Sequence, residues 1–338
     1  MRKELGSEFY SVPTLTEVNG FFRTDTKWFV SGTSALEYIL EDILSKTSAR
    51  KAALPSWCCS CMITPFLKHG IDVVFFPVIV GKELGVVCDL SASAGCDITL
   101  VLHYFGYCSQ LNMGTPHGIV IQDMTHSLFT GVKREADYFF GSLRKWAGFY
   151  TGGFAWSDIG WSKNIDTAPI DPAYVQLRSS AMERKLSYLI EEHDCKDFVV
   201  AFEQGEAFLD SCCIMDASLR DVDFAHRLDI EFIRSRRREN ASVLLEKLKD
   251  IAFFPKLNDG DCPLFVPIHL PNDVRNSLKR FLIEHDIYCP VHWPISDVHS
   301  LSAETIVPYE CGLSIVCDQR YDADDMRRIL CVIDSFFK

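Results

Sequence analysis

Apolar and polar residues alternate along the chain in two rhythms, which predict strands and helices in turn. Short runs rich in β-branched and aromatic residues predict strands at residues 28–30, 51–54, 73–80, 98–104, 119–122, 138–140 and 153–156. Amphipathic spacing predicts helices at residues 31–44, 62–69, 181–193, 199–216 and 218–250. The C-terminal part continues the alternation, with strands at 263–269, 287–290 and 313–317 and helices at 273–285 and 323–337. Strands interleaved with helices indicate an α/β fold with a mostly parallel sheet between helices.

Two stretches interrupt this pattern and suggest how the chain is divided. Residues 158–171 are polar and contain a proline, and residues 218–250 are strongly charged. With 338 residues, the chain is long enough for two domains. We therefore expect a large α/β domain at residues 1–216, and a connecting helix with a smaller C-terminal α/β domain at residues 217–338.

Lys145 is the first candidate for chemistry. It lies in the apolar, aromatic segment 136–156 and is followed by Gly152 and Gly153. Desolvating an ammonium group is costly, so this lysine either reaches water or has a lowered pKa. A lysine with a lowered pKa is a nucleophile toward carbonyl groups. The alternative is an ordinary surface lysine beside Arg144.

Asp123 ends the apolar run of residues 119–122, at the kind of position where open α/β sheets bind their ligands. Pyridoxal phosphate needs a lysine to hold its aldehyde and a carboxylate to keep its pyridine nitrogen protonated. An aspartate in this position, taken alone, is more often a helix cap. Its combination with Lys145 favours the cofactor.

Two further segments carry polar side chains in positions that suit a ligand. Residues 31–34 form the entrance of the first long predicted helix, where amides, hydroxyls and the helix dipole suit a phosphate group. An ordinary N-cap with nothing bound is the alternative. His103 ends another apolar run and is either a site residue or a buried core histidine.

The overall charge and hydropathy exclude several classes of protein. The net charge of −12 and the pI near 5.3 argue against a nucleic-acid partner or an anionic membrane. No apolar run reaches the length of about 18 residues that a membrane-spanning helix requires, and the first ten residues do not resemble a signal peptide. We expect a globular cytoplasmic protein that has no membrane partner.

The chain has 14 cysteines, which are scattered through apolar segments, as at Cys88, Cys108, Cys289, Cys317 and Cys331. This distribution predicts reduced core thiols and no disulfide scaffold. Residues 58–61 contain one CxxC, but no second ligand pair follows at a spacing that zinc requires. We therefore expect no metal site.

Several segments, in order, resemble motifs of the DegT/DnrJ/StrS family of pyridoxal-phosphate-dependent sugar aminotransferases, which have the fold type I architecture of aspartate aminotransferase. Residues 32–36 are similar to the family's phosphate-binding helix entrance, and residues 54–60 to its loop with a ring-stacking aromatic residue. Residues 103–106 and 122–128 are similar to its HxxG and EDxAQ segments. Residues 140–153 resemble its serine, lysine and double-glycine signature, and residues 236–240 and two C-terminal segments also fit. The resemblance spans most of the chain.

The resemblance implies a role for each matching position. Lys145 would be the Schiff-base lysine and Asp123 the partner of the pyridinium nitrogen. The remaining cofactor-binding residues would be Gly32, Thr33, Ser34 and Ser142 at the phosphate, His126 near the phenolic oxygen, and Trp57 against the ring. Trp57 is the aromatic residue of its loop, although the family's usual stacking position falls nearer Cys59.

The resemblance also implies an activity. The chain would use pyridoxal 5′-phosphate to transfer an amino group from an amino acid donor such as glutamate to a nucleotide-linked keto-deoxy sugar, and it would act as a homodimer. One alternative is a sugar dehydratase of the same family, in which histidine replaces the lysine. Another is a regulatory or scaffold partner that keeps only the fold.

Because the protein is strongly acidic, a nucleotide diphosphate would be repelled unless a local cationic and aromatic patch binds it. The densest candidates are the arginines within residues 234–238 and the loop around His292 and Trp293. The alternative for the arginines is a solvated helix face.

Overall fold

The computed structural model describes residues 4–81, 85–162, 164–191 and 195–338. Its strands are β1 (Leu5–Gly6), β2 (Lys27–Phe29), β3 (Lys51–Pro55), β4 (Asp72–Phe76), β5 (Val78–Gly81), β6 (Gly85–Asp89), β7 (Ile98–Leu102), β8 (Leu111–Met113), β9 (Ile119–Asp123), β10 (Tyr138–Ser142), β11 (Gly153–Ser157), β12 (Phe265–His269), β13 (Ile287–Tyr288) and β14 (Gly312–Val316). Its α-helices are α1 (Gly32–Lys46), α2 (Ser60–Lys68), α3 (Pro172–Glu191), α4 (Phe198–Ser211), α5 (Leu219–His226), α6 (Ile230–Leu248), α7 (Asn272–Glu284), α8 (Val307–Cys311) and α9 (Ala323–Phe336).

The described residues group into two compact units, each assembled from separate parts of the chain. Unit 1 contains residues 4, 8–48 and 137–230, and unit 2 contains residues 5–7, 49–136 and 231–338. These groups do not coincide with a division at residue 216. The two-domain organisation expected from the sequence stays a prediction.

In unit 1, three antiparallel strands support the first long helix. β11 pairs with β2 on one side and with β10 on the other, and Gly153 lies opposite both Phe29 and Ser142. Helix α1 packs across these strands through its apolar face. Helices α3 and α4 pack against each other around a small apolar core of their own.

In unit 2, four parallel strands lie in the order β4-β3-β7-β9. The carboxyl ends of parallel strands meet at one edge of a sheet. In this sheet the edge carries Trp57 after β3, His103 after β7, and Asp123 as the last residue of β9. A second core in unit 2 is built from α6, α7, α9 and the antiparallel pair β12 and β14.

The expected α/β class is confirmed, with differences in several elements. The strand predicted at residues 73–80 is divided at Pro77 into β4 and β5, and α3 begins at Pro172, well before residue 181. The predicted end of that helix, at His193, lies outside the described residues. None of the helices that the structure describes is long and apolar enough to cross a membrane.

The single helix predicted at residues 218–250 is instead the two helices α5 and α6. Leu228 lies between them and is fully buried. The side-chain amide of Asn19 donates hydrogen bonds to the carbonyl oxygens of Ala225 and Leu228, at 3.3 and 2.9 Å. These bonds tie the end of α5 and Leu228 to Asn19 at the point where the chain turns between the two helices.

The close approach of β11 to α1 gives a first prediction. A Cβ atom at Gly153 would lie 2.0 Å from the carbonyl oxygen of Ser31, which is backbone and cannot turn away. We expect Gly153→Ala to lower the free energy of unfolding by about 3 kcal/mol or more. Urea unfolding followed by circular dichroism measures the change.

Gly160→Ala is the control. Gly160 has a φ of +77° but no atom within 4 Å of an added Cβ, so only backbone strain is expected, at roughly 1 kcal/mol. Equal losses in the two variants would contradict the proposed clash.

Candidate cofactor site

The entrance of α1 exposes hydrogen-bond donors at a helix N-terminus. Ser31 caps the helix, since its Oγ accepts a hydrogen bond from the amide of Ser34 at 3.1 Å. The amides of Gly32 and Thr33, in the same first turn, have no acceptor within the helix. These donors and the positive end of the helix dipole are suited to an anion.

Ser142 lies beside this entrance. A Cβ atom at Gly32 would be 3.5 Å from the Cβ of Ser142 and from the carbonyl oxygen of Gly141, so the helix begins directly against the end of β10. Thr33 and Ser34 follow Gly32 in the chain. The predicted phosphate-binding residues are therefore brought together within unit 1.

Lys145 follows Ser142 in the chain, at the end of a 3-10 turn formed by Leu143–Lys145. Leu143 and Trp146 are fully buried, whereas Lys145 is exposed. The amide of Leu143 donates to the carbonyl oxygen of Gly152 at 2.8 Å and fixes the start of the turn. The turn therefore packs its apolar residues inward and leaves the lysine accessible.

A buried carboxylate holds the loop that precedes Gly152 and Gly153. Both the amide and the hydroxyl of Thr151 donate to Oδ2 of Asp221, each at 2.7 Å. The hydroxyl of Ser218 donates to the same oxygen at 2.9 Å, and Arg220 forms an ion pair with Oδ1 at 2.6 Å. This network joins residues that are distant in the chain, so it was not predicted. In the sequence, Ser218 followed by Asp221 three residues later indicates only the start of a helix, here α5.

In unit 2, Asp123 is buried at the end of β9. Its Oδ1 accepts a hydrogen bond from the amide of Thr125 at 2.7 Å. Burial raises the pKa of Asp123 to about 6, although the bonds from Thr125 act in the opposite direction. A positively charged group placed beside this carboxylate would stabilise its ionised form.

His126 and Trp57 belong to one aromatic cluster in unit 2. The ring of His126 stacks on Trp293, with centroids 5.3 Å apart, and lies 5.0 Å from Phe105. Trp57 is buried, stacks on Tyr104 at 4.8 Å, and donates its indole N–H to the carbonyl oxygen of His292 at 2.8 Å. Tyr104 therefore covers one face of Trp57. The stacking of Trp57 on a cofactor ring stays a prediction.

Two other candidates have a simpler explanation. Burial lowers the pKa of His103 to about 4, so this histidine is neutral near pH 7. Arg237 is fully buried and donates to the carbonyl oxygens of Pro263 and Leu264 at 3.2 and 3.0 Å. Arg238 likewise donates to backbone carbonyls, those of Asn258 and Asp261. These two arginines use their donors to hold unit 2 together, and they do not form the predicted solvated face.

The cysteines divide into buried and surface thiols. Burial raises the pKa of Cys88 and of Cys289 to about 12, as expected for inert core thiols. Cys331 is exposed on α9, contrary to the expectation. Among the described residues, no group of three or more His, Cys, Asp or Glu side chains could hold a metal ion.

Asp123 gives a prediction about stability and pH. Its ordinary pKa is 3.8 and its pKa in the folded chain is about 6, so ionising it opposes folding. The stability of the wild-type chain should therefore fall as the pH rises from 4 to 6. We expect Asp123→Asn, measured without added cofactor, to be more stable than wild type at pH 7.5 by up to about 3 kcal/mol, and the gain to vanish below pH 4.

Asp97→Asn is the control with the opposite sign. The backbone amides of Arg50 and Lys51 bond to the exposed Asp97 and lower its pKa. Its replacement should reduce stability at pH 7.5. A stability for Asp123→Asn that is at or below wild type throughout this range would contradict the assignment.

The loop network gives another prediction. Thr151→Val keeps the shape of the side chain but removes the hydroxyl that donates to Asp221 and accepts from the amide of Ser218 at 3.2 Å. We expect a loss of about 1–3 kcal/mol in the free energy of unfolding. Thr64→Val, at an exposed helix hydroxyl that bonds to the carbonyl oxygen of Ser60, should stay within about 0.5 kcal/mol of wild type. If both variants behave alike, the buried network contributes nothing particular.

Comparison with known proteins gives a clear result for the fold. No protein-family model matches the sequence, and no curated protein sequence matches it. Among solved structures, PseC from Helicobacter pylori, an aminotransferase involved in the biosynthesis of pseudoaminic acid, is 14% identical with a TM-score of 0.62, over 98% of this chain and 99% of its own. DesI, solved in the presence of its TDP-sugar product, is 13% identical with a TM-score of 0.55, over 91% of this chain and 79% of its own.

A third structure is Spr1654 from Streptococcus pneumoniae, described as a sugar aminotransferase and solved in its PLP form. It is 13% identical with a TM-score of 0.56, over 96% of this chain and 91% of its own. Identities this low carry the fold alone. Other similar structures include an aminotransferase of the DegT type, the type that the sequence motifs resemble. The chain therefore has the α/β fold of the sugar aminotransferases.

Proposed function

We propose that the chain is a pyridoxal-phosphate-dependent aminotransferase of the DegT/DnrJ/StrS type. It would transfer an amino group from an amino acid, glutamate, to a nucleotide-linked keto-deoxy sugar. The observation that carries this proposal is the placement of the α1 entrance against Ser142, on the strand that leads directly to Lys145. An anion site and an accessible lysine are thereby held three residues apart in one rigid part of unit 1.

The residues fit the cofactor. The amides of Gly32 and Thr33 and the hydroxyls of Thr33, Ser34 and Ser142 would hold its phosphate. Asp123, a buried carboxylate at the end of β9, has the chemistry to hold the protonated ring nitrogen. His126 is proposed to bind the phenolic oxygen and Trp57 to lie against the ring. When bound, pyridoxal 5′-phosphate supplies an electron-accepting ring for the carbon that loses or gains the amino group.

The residues of the chain then have distinct tasks. Lys145 would hold the cofactor through its amine, and the same amine, when free, would move the proton at the α-carbon of the amino acid substrate. Asp123 would hold the protonated ring nitrogen, whose positive charge would offset the cost of burying the ionised carboxylate. The network of Asp221 and Thr151 holds the loop that lies next to the turn of Lys145.

The sugar part of the proposal rests on the motifs and on the relatives of like fold. PseC acts in the biosynthesis of pseudoaminic acid, and DesI was solved with a TDP-sugar product. Because Arg237 and Arg238 bond to backbone carbonyls, the remaining candidates from the sequence for the nucleotide are Arg234, Arg236 and the His292–Trp293 segment. Trp293 is half-buried and already stacks on His126. A homodimer and a cytoplasmic location complete the proposal, from the resemblance and the composition.

The test of the proposal is chemical labelling of the lysine. With pyridoxal 5′-phosphate added, the chain should absorb well to the red of protein, and borohydride should fix a pyridoxyl group on Lys145 that peptide mapping can locate. Lys145→Ala should lose both signals and remain folded, since this side chain is exposed. Lys247→Ala, at an exposed lysine on α6, is the matched control and should keep both.

Mapping of the label to any other lysine would remove Lys145 from the proposed role. If no label forms on the wild-type chain, the proposed use of pyridoxal 5′-phosphate is wrong. The better explanation is then that this chain is a regulatory or scaffold protein that keeps only the fold. Turnover of glutamate with a panel of nucleotide-linked keto-sugars then tests the substrate.

A further inference from the structure

Three charged side chains in unit 1 form a cluster that the proposed mechanism does not use. Arg144 precedes Lys145 in the 3-10 turn, Arg178 lies on α3 and Glu206 on α4. The side chains of Arg144 and Arg178, called here the arginine pair, are 10% and 2% exposed, whereas that of Glu206 is 49% exposed. The two cationic side chains of the cluster are therefore buried, and its carboxylate is half-exposed to solvent.

The arginine pair has too few acceptors. Nη2 of Arg144 and Nη1 of Arg178 both donate to the same oxygen, Oε1 of Glu206, the latter at 3.2 Å. Nη2 of Arg178 is 3.8 Å from Oε2 of Glu8, which is too long for a hydrogen bond. Among the residues that the structure describes, the Nε atoms of both arginines are buried without a partner. Two guanidinium groups, with about ten N–H donors between them, thus share one acceptor oxygen of the described residues within hydrogen-bonding distance.

The cluster also has an excess of positive charge. Three cations, Arg144, Arg178 and the neighbouring Lys145, face the two carboxylates of Glu206 and Glu8. Burial acts to raise the pKa of Glu206, but the charges of Arg144, Lys145 and Arg178 lower it to about 2. Burial and the charge of Arg144 lower the pKa of Arg178, so the two guanidinium groups repel each other. The two carboxylates leave one of the three positive charges without a counter-charge among these residues.

The packing around Arg178 holds its guanidinium group in place. The group lies over the ring of Phe202, 4.8 Å from the centroid. Gly205 leaves room for the stem, since a Cβ atom at Gly205 would lie 2.9 Å from Cδ of Arg178. A buried arginine fixed in this way loses little conformational freedom when an anion binds.

We propose that the arginine pair is a binding site for the carboxylate of a small dicarboxylate ligand, which takes the place of Glu206 at the shared donors. Glu206 shows which chemistry the two guanidinium groups accept, and its exposed side chain can turn away into water. Because Arg144 adjoins Lys145, this ligand is the amino acid donor, an identification that rests on the proposed function.

The test measures binding without any reaction. Glutarate has two carboxylates but no amino or keto group, so isothermal titration calorimetry on the full chain reports on the site alone. We expect Arg178→Gln and Arg144→Gln to weaken glutarate binding by about 10- to 100-fold, since each removes charge-assisted hydrogen bonds. Arg184→Gln, on the same helix but with an exposed side chain paired to Asp197, should bind like wild type.

The variant Glu206→Gln separates the proposal from its alternative by the direction in which the glutarate affinity changes. If Glu206 competes with the ligand, removing its charge should tighten glutarate binding several-fold. If the cluster is a structural ion-pair network, the same change should leave binding unchanged or weaken it, and the proposal is then wrong. Because the Glu206 side chain is half-exposed, this variant keeps the test open even if an arginine variant fails to fold.

Two further arms separate the remaining outcomes. Binding of inorganic phosphate that depends on the arginine pair, with none of glutarate, would overturn the carboxylate assignment. If glutarate binding depends on the arginine pair but the chain takes no pyridoxyl label, the carboxylate site is supported and the proposed function is wrong. If Lys145 is labelled but glutarate does not bind, the proposed function is supported and the carboxylate site is wrong.

Discussion

The contact between the carbonyl oxygen of Ser31 and the α-carbon of Gly153 sets the geometry of unit 1. No side chain fits between them, so strand β11 passes directly beside the start of α1. This approach places the helix entrance against the end of β10, and β10 continues into the turn of Lys145. A glycine at a single position thus brings a helix dipole, a serine hydroxyl and a lysine into one small region.

Unit 2 relies on a different constraint, the burial of a carboxylate. Asp123, at the end of β9, is buried deeply enough to raise its pKa to about 6, although the amide of Thr125 donates a hydrogen bond to it at 2.7 Å. A protein that only needed to fold would gain by replacing such a group with an amide. Its presence at a strand end is the kind of cost that function explains.

Much of this arrangement could be predicted from the sequence because it depends on neighbours in the chain. The period of the apolar residues locates β9 and β10, and the serine-rich entrance marks α1. What could not be predicted depends on distant partners. Thr151 and Asp221 are 70 positions apart, Arg237 bonds to carbonyls 26 and 27 positions away, and the break before α6 involves Asn19, over 200 positions away. The predicted roles of Lys145, Asp123 and His126 each depend on a contact with the cofactor, so they stay predictions.

The assembly of each unit from separate parts of the chain has a consequence for folding. Leu5 pairs with Ile287 in β1 and β13, and the core of unit 2 joins Leu5 to residues of α6, α7 and α9. Closing loops of this length costs entropy before any contact repays it, which makes folding slow. On the ribosome, unit 2 cannot complete its core until the last helix emerges. Leu5, synthesised early, therefore remains without its partners in this core, with its apolar side chain uncovered, until α9 has emerged.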